Sequence, residues 1–362
     1  MLVNPGHWAG RRVLVTGHTG FKGAWLSLWL REMGAEVAGL ALAPEEPSLF
    51  SQIGLDGLID HVEGDIRDAD LVDQVVARVR PQTVFHLAAQ PLVRLSYDQP
   101  RETFATNVLG TAHVLDACRR VEGLEAIVAV TSDKCYENRE WVWPYRESDP
   151  MGGHDPYSAS KGAAELVISS YRNSFFHAGE GPLLASVRAG NVIGGGDWAK
   201  DRLVPDIVRA IIDDRSVYIR SPGSVRPWQH VLEALGGYLL IAQHLAAGHD
   251  WAASAWNFGP AAQDTRPVGW IVDKMIERWG RGSFELDTAP QPHEANLLML
   301  DCSKARAQLG WRPAFDLRQT IDWIVDWHSQ VAQGGDALAI TRGQLQTYKT
   351  LLDAALTESD PS

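Results

Sequence analysis

Short apolar, β-branched runs alternate with longer segments of helical periodicity through the first half of the chain. Val13-Leu14-Val15 is a compact run that ends at Gly17. Phe21 to Met33 has helical spacing and stops at Gly34, a C-terminal cap. Val37 to Leu42 forms a second extended run and Val62 to Ile66 a weaker third. Thr83 to Leu87 is a fourth, after the helix stop Pro81; Ala126 to Val130 and Leu184 to Val187 are a fifth and a sixth. The gaps between runs are long enough for the crossover helices that parallel strands require. The pattern predicts an α/β protein built on a doubly wound parallel sheet.

After about Arg188 this rhythm breaks. Helical stretches at Val204–Asp213 and Leu232–Leu245 stand between segments punctuated by glycine and proline. A smaller, mixed α/β C-terminal lobe packed over the open edge of the sheet is expected. The expected division is 1–188 for a dinucleotide-binding domain and 189–350 for a substrate lobe, parts of it returning to the first domain. Residues 351–362 would be a polar, frayed tail.

The totals narrow the class only a little. A chain of 362 residues, 45% hydrophobic and 22% charged, is an ordinary globular protein. Its formal charge of -12 argues against general affinity for nucleic acid or anionic membrane. Cys118, Cys135 and Cys302 are scattered and contain no C-x-x-C pair, so neither a disulfide framework nor a metal site is expected. No signal peptide or membrane span is evident, and a reducing cytoplasm is the expected compartment.

Candidate chemistry begins between the first run and the first helix, at Gly17-His18-Thr19-Gly20-Phe21-Lys22-Gly23. A helix start exposes unpaired N–H groups and a positive dipole end, which suits a pyrophosphate, and glycines let backbone approach it. The position of the loop in a βαβ series favours a dinucleotide over a merely conformational turn. Gly39-Leu40-Ala41-Leu42-Ala43 carries no acid for a ribose hydroxyl, but it has no arginine for a 2′-phosphate either, and Glu45-Glu46 would repel one. NAD is the expected cofactor. Lys22 suits a pyrophosphate contact or a solvent-directed chain, and Asp65 an adenine contact or a helix N-terminal cap.

A second constellation follows. Tyr157 and Lys161, four apart on a helix, share a face, so an ammonium can sit beside a phenol. An ordinary phenol, with a pKa of about 10, is a poor base; neighbouring positive charge lowers it. Thr131-Ser132-Asp133-Lys134-Cys135-Tyr136 closes the fifth run, where strand C-termini face the cleft. Asp133-Lys134 there reads either as an acid–base pair or as a surface ion pair.

These motifs resemble the extended short-chain dehydrogenase/reductase superfamily, which has a Rossmann-type sheet. The joined stretches Gly17–Gly23, His86–Arg94, Thr131–Tyr136, Arg188–Trp198, Arg226–Val231 and Pro292–Ala295 resemble the CDP-glucose 4,6-dehydratases within it. That resemblance implies NAD and a nucleotide-sugar substrate, CDP-glucose. It implies Tyr157 as base for the 4-hydroxyl, supported by Ser132 and Lys161, with Asp133 as acid for the 6-hydroxyl and Lys134, or a base it assists, taking the C5 proton. It assigns the cofactor to Gly17, His18, Thr19, Gly20, Phe21, Lys22, Gly23, Asp65, Ile66, Leu87, Ala88, Ala89, Thr106, Tyr157 and Lys161. It assigns the substrate to Gln90, Arg94, Asn191, Arg202, Arg226, His230 and Glu294. Arg226 could instead pair with an acid at the lobe interface, His86 could be a satisfied core histidine, and Trp228 reads as packing. Rival readings are a 4-epimerase, a dehydratase for another nucleotide, or a silent scaffold; the last is disfavoured by the intact Tyr157 and Lys161. Helices at Gln99–Arg120 and Tyr157–His177 resemble those of a homodimer interface, with a tetramer also open.

Overall fold

The computed structural model describes residues 3–177, 179, 181–287 and 297–358, with side chains described as far as Asp353. Seven parallel strands form the main sheet in the order β10-β6-β5-β4-β1-β2-β3. They are β1 (Arg12–Thr16), β2 (Glu36–Ala41), β3 (Asp60–Glu63), β4 (Thr83–His86), β5 (Ala126–Val130), β6 (Leu183–Ala189) and β10 (Ala255–Phe258). Every residue of β4, β5 and β6 is buried. This is the continuous apolar signature of strands covered on both faces. The doubly wound sheet expected from the pattern is present; the third strand lies two to three residues earlier than expected because Gly64-Asp65 turns the chain.

Helices α1 (Phe21–Glu32), α2 (Ala69–Val79), α3 (Thr111–Cys118) and α4 (Pro156–Ser174) cover the sheet. α1 ends where expected: Gly34 has φ +86, a conformation that costs glycine nothing. Trp25, Trp29, Val128 and Val187 belong to the apolar layer on one face, and Val72, Val76, Val114 and Ile127 to the layer on the other.

The second half makes a three-stranded sheet, β11-β9-β7, and a two-stranded one, β12-β8. These use β7 (Asn191–Ile193), β8 (Val217–Ile219), β9 (Val225–His230), β11 (Thr265–Pro267) and β12 (Phe284–Leu286). Its helices are α5 (Leu203–Ile212), α6 (Val231–Ala246), α7 (Val268–Trp279), α8 (Leu317–Ala332) and α9 (Ala337–Glu358). The lobe has its own core of Ile207, Val208, Trp228, Ile271, Met275 and Ile324.

β10 lies far down the chain yet pairs in parallel with β6, a return of the second half to the first sheet. One feature departs from the sequence pattern. The tail from Leu351, expected to fray, continues α9 to Glu358, because α9 is docked: Tyr348 is 1% exposed and packs edge-on against Trp29. Among the described residues, no helix is long and apolar enough to cross a membrane. No group of three or more described His, Cys, Asp or Glu could hold a metal ion.

Candidate active site

A cleft of about 340 Å³ opens between the C-terminal ends of the parallel strands and the second lobe. It is lined by Phe21, Lys22, Leu87 and Ala89 on the side of β1 and β4. The glycine loop is built for close approach. A Cβ on Gly23 would lie 2.1 Å from the Gly17 carbonyl oxygen, and one on Gly17, at φ +77, 2.7 Å from Ala88 N. α1 can therefore begin directly against the loop, with Gly20 at its N-cap and no side chain capping its first N–H groups. An uncapped helix start framed by glycines fits a dinucleotide pyrophosphate. Lys22 turns into the cleft rather than to solvent. Burial, with Arg202 and Lys161 adding to it, pushes its ammonium down to about 7.

The reactive wall stands at the end of β5. Ser132 caps a short turn by accepting from Lys134 N at 3.2 Å and donates to Asp133 Oδ1 at 3.0 Å. It also shares a hydrogen bond with the Tyr157 phenol. Asp133 is 4% exposed, and burial raises its carboxyl above the ordinary range against the pull of Lys134, Ser132 and Arg226. Gly190 passes this carboxyl so closely that a Cβ there would lie 3.1 Å from Asp133 Oδ2. Tyr157 and Lys161 project from the first turns of α4, which Asp155 caps through Ser158 N. Both line the cleft with Ser132, Asp133 and Lys134. Burial pushes the Tyr157 phenol up to about 12 and the Lys161 ammonium down to about 8. The expected lowering of the phenol by Lys161 is therefore not supplied by the protein alone, because desolvation outweighs it.

The far side of the cleft is cationic. Asn191 on β7, Arg226 on β9, Arg202 at the start of α5 and Arg220 after β8 line it, and Arg94 faces them from the segment after β4. Arg202 approaches Asp197 at 3.4 Å. Volume alone would mislead: a roomier cavity of about 680 Å³ lies beyond β6. There Arg188 is paired with Glu165 and Arg146 with Asp301, and the Lys304 ammonium donates to Ser254 Oγ at 2.7 Å and to the Ala255 carbonyl at 2.8 Å.

The family profile described as GDP-mannose 4,6 dehydratase matches residues 14–324, which include the whole cleft wall. The chain belongs to this dehydratase family. A curated CDP-glucose 4,6-dehydratase of Salmonella typhimurium is 54% identical over 353 residues, 96% of this chain and 98% of that one. The dTDP-glucose 4,6-dehydratase of Streptomyces antibioticus is 31% identical over 333 residues, 87% and 92% of the two chains. Among solved structures, a Thermus thermophilus UDP-glucose 4-epimerase in complex with NAD matches with TM-score 0.75 and 26% identity, covering 88% of this chain and 99% of that one.

Within this dehydratase frame several residues stand apart from where the sequence put them. His230 is not in the cleft: it is fully buried, caps α6 through Leu232 N, and packs edge-on against Trp25, Phe315 and Trp323. Gln90 spends its side-chain amide within its own loop, donating to Leu92 O and Thr103 Oγ1. The His18 ring turns inward to His61, Nε2 to Nδ1 at 2.7 Å, so only its backbone remains with the loop. The Ile66 side chain is buried against Gly110. Thr106 is half-buried in a wide helical turn at Ala105–Gly110. Asp65 pairs with Arg67 at 2.6 Å, and the cap of α2 is Asp68. His86 is a satisfied core histidine between Thr16 and Thr111. Trp228 packs, donating to Arg266 O at 3.1 Å. Glu294 lies outside the described residues.

Sequence reasoning missed Asn107, whose amide joins Gln90 O to Ser160 Oγ at 3.1 and 2.8 Å. It thereby ties the loop after β4 to α4. A polar residue in a largely apolar helix was the available signal. Glu165 and Arg220 were also missed.

Proposed function

We propose that this chain is an NAD-dependent CDP-glucose 4,6-dehydratase. It oxidises the sugar at C4, eliminates water across C5 and C6, and reduces C6, giving CDP-4-dehydro-6-deoxy-D-glucose. The observation that carries the reading is Asp133. A carboxyl buried at a strand end and biased toward its protonated form is a general acid for a hydroxide leaving group. A 4-epimerase needs Tyr157 and Lys161 but has no hydroxyl to expel. The choice of cytosine rests on the 54% identical relative.

Each residue has a defined task. Tyr157 accepts the proton of the 4-hydroxyl, with Ser132 sharing its hydrogen bond and Lys161 supplying positive charge from the next helical turn. NAD held by the glycine loop and Lys22 would supply the hydride acceptor for C4 and donor for C6, and its ring charge would favour the Tyr157 phenolate. The 4-ketone acidifies C5, Lys134 takes that proton, and Asp133 protonates the departing 6-hydroxyl. Asn191, Arg202 and Arg226 hold the diphosphate, Arg through its planar fork. The glycine loop, Lys22, Leu87 and Ala89 hold the cofactor.

The protein works as a cytoplasmic homodimer joined through the helical segments 100–118 and 156–174. Phe104, Leu109 and Leu166 are 40%, 58% and 64% exposed there, an apolar surface of the kind partners cover.

The test is to incubate purified protein with CDP-glucose and catalytic NAD+ and to weigh the nucleotide sugar. Loss of one water without net NADH is the expected result. An unchanged mass overturns the reading, and an inverted C4 within that mass identifies an epimerase.

A further inference from the structure

The cleft arginines divide into an inner and an outer set. Arg226 adjoins Pro227, and a Cβ on Gly190 would lie 2.7 Å from Pro227 Cγ and 3.1 Å from Asp133 Oδ2, so β9 brings Arg226 to the reacting end; Arg202 is turned to Asp197 at 3.4 Å. Arg220 stands beyond β8, in the separate two-stranded sheet. Its charge relations are with Asp201, 3.7 Å from its Nη2, and with Asp206. Asp201 is held from the opposite wall by Arg94, also at 3.7 Å. Its backbone adopts φ +59, a conformation unfavourable for a non-glycine residue. A donor-only guanidinium and an acceptor-only carboxylate are thus set side by side in the cleft lining where β8 borders it.

We infer that Arg220 and Asp201 read the base of the nucleotide, and that they read cytosine. This inference rests on the nucleotide-sugar reading above and specifies its outer subsite. With the sugar at Tyr157 and the diphosphate at Arg226 and Arg202, the base is the part of the substrate that reaches β8. Cytosine offers, in order along its free edge, the acceptors O2 and N3 and the donor N4–H2. A guanidinium fork donates to O2 and N3, and the neighbouring carboxylate accepts from N4. Uracil and thymine turn N3 into a donor and position 4 into an acceptor. They therefore set an N–H against the guanidinium and a carbonyl oxygen against the carboxylate. Selection comes from this mismatch as much as from the match.

Calorimetric binding of CMP, UMP and dTMP to the intact protein tests this without catalysis. The wild type is expected to favour CMP by about tenfold or more. R220Q should bring CMP and UMP to within about threefold, since an amide can present either a donor or an acceptor. D201N should raise UMP relative to CMP, because its amide can donate to O4. R220K, which keeps the charge and loses the fork, should retain affinity while losing most of the discrimination; it carries the test if R220Q fails to fold. Equal weakening of CMP and UMP with the ratio preserved overturns the inference and makes Arg220 a diphosphate or structural residue. A wild type that dehydrates CDP-glucose but shows no base preference also overturns it while leaving the proposed function standing. Failure to turn over any nucleotide sugar sinks the proposed function instead.

Discussion

Arg188 on β6 donates from Nε to Glu165 Oε1 on α4 at 2.8 Å, with both side chains 4% exposed. Burial opposes ionisation of Glu165, yet hydrogen bonds from Arg188, Thr131 and Ser186 hold its carboxyl below the ordinary range. Thr131 precedes Ser132, and Glu165 lies one helical turn beyond Lys161. Glu165 therefore ties the helix that carries the phenol and the ammonium to β6 through Arg188, and to the end of the strand that carries the acid through Thr131. Glu165→Ala leaves a buried guanidinium uncompensated and should cost about 3–5 kcal/mol in urea unfolding. A loss below about 1 kcal/mol would mean that the neighbouring hydroxyls carry the charge unaided.

Tyr157→Phe should lower kcat for water loss by about 10²- to 10⁴-fold, the usual weight of a general base. The fold should be retained, because the ring is kept and only the phenol oxygen is lost, and NAD binding should fall far less than turnover. Titration of NAD into the variant separates the two effects: weakened binding in proportion to lost turnover would contradict the assignment.

Asp133→Asn removes the proton donor and keeps the shape. The variant should still exchange C5 hydrogen for solvent deuterium once C4 is oxidised, yet release little dehydrated product. In the wild type, dehydration should fall as pH rises through the raised Asp133 pKa, because the acid form is the one that donates. Water loss from the variant at the wild-type rate would show that the hydroxide leaves unassisted.

Glu233 on α6 is 1% exposed and accepts from Ala314 N and Phe315 N, both at 2.9 Å, and from the Tyr348 hydroxyl at 3.1 Å. Burial raises its carboxyl from 4.5 to about 7, so the folded state favours the protonated form. Its contribution is fully present below the unfolded value of about 4.5 and is lost as pH rises through about 7. Glu233→Gln keeps the two backbone acceptor contacts and cannot ionise. Relative to the wild type it should gain up to about 3 kcal/mol between those limits. Thermal unfolding of both proteins at pH 5 and pH 8 measures the difference, and a gap that does not widen with pH would contradict it.

What could be read from the sequence was what is local. The glycine loop, the Ser132–Lys134 turn and the Tyr157–Lys161 helical pair each combine a short pattern with a place in the strand rhythm, and the structure brings all three to one cleft. His230 was misplaced because a histidine beside Arg226 in a joined motif looks polar. Residues distant in sequence, Trp25 from α1 and Phe315 and Trp323 folding back, pack over it. Gln90 was misplaced for a similar reason: its amide is consumed by Leu92 and Thr103, a contact that depends on the turn after β4. Arg220 went unnoticed because its partner Asp201 comes from a separate stretch of chain, just ahead of α5. The final helix α9 was missed because it is stabilised by docking, Tyr348 against Trp29 and Thr341 accepting from the Trp327 indole of α8 at 2.9 Å, rather than by a strong stripe of its own.

β10 supplies the partner that keeps β6 from being an edge. All seven residues of β6 are buried in the finished protein, but on a ribosome they emerge well before Ala255–Phe258 exists to pair with them. For that interval the growing chain presents a mostly apolar strand, broken only by Ser186 and Arg188, with one unpaired side, a template for pairing with other nascent chains. Truncation after β6 would make this exposure permanent. The molecule is thus closed by a late segment, and premature termination yields an aggregation-prone product rather than a smaller working domain.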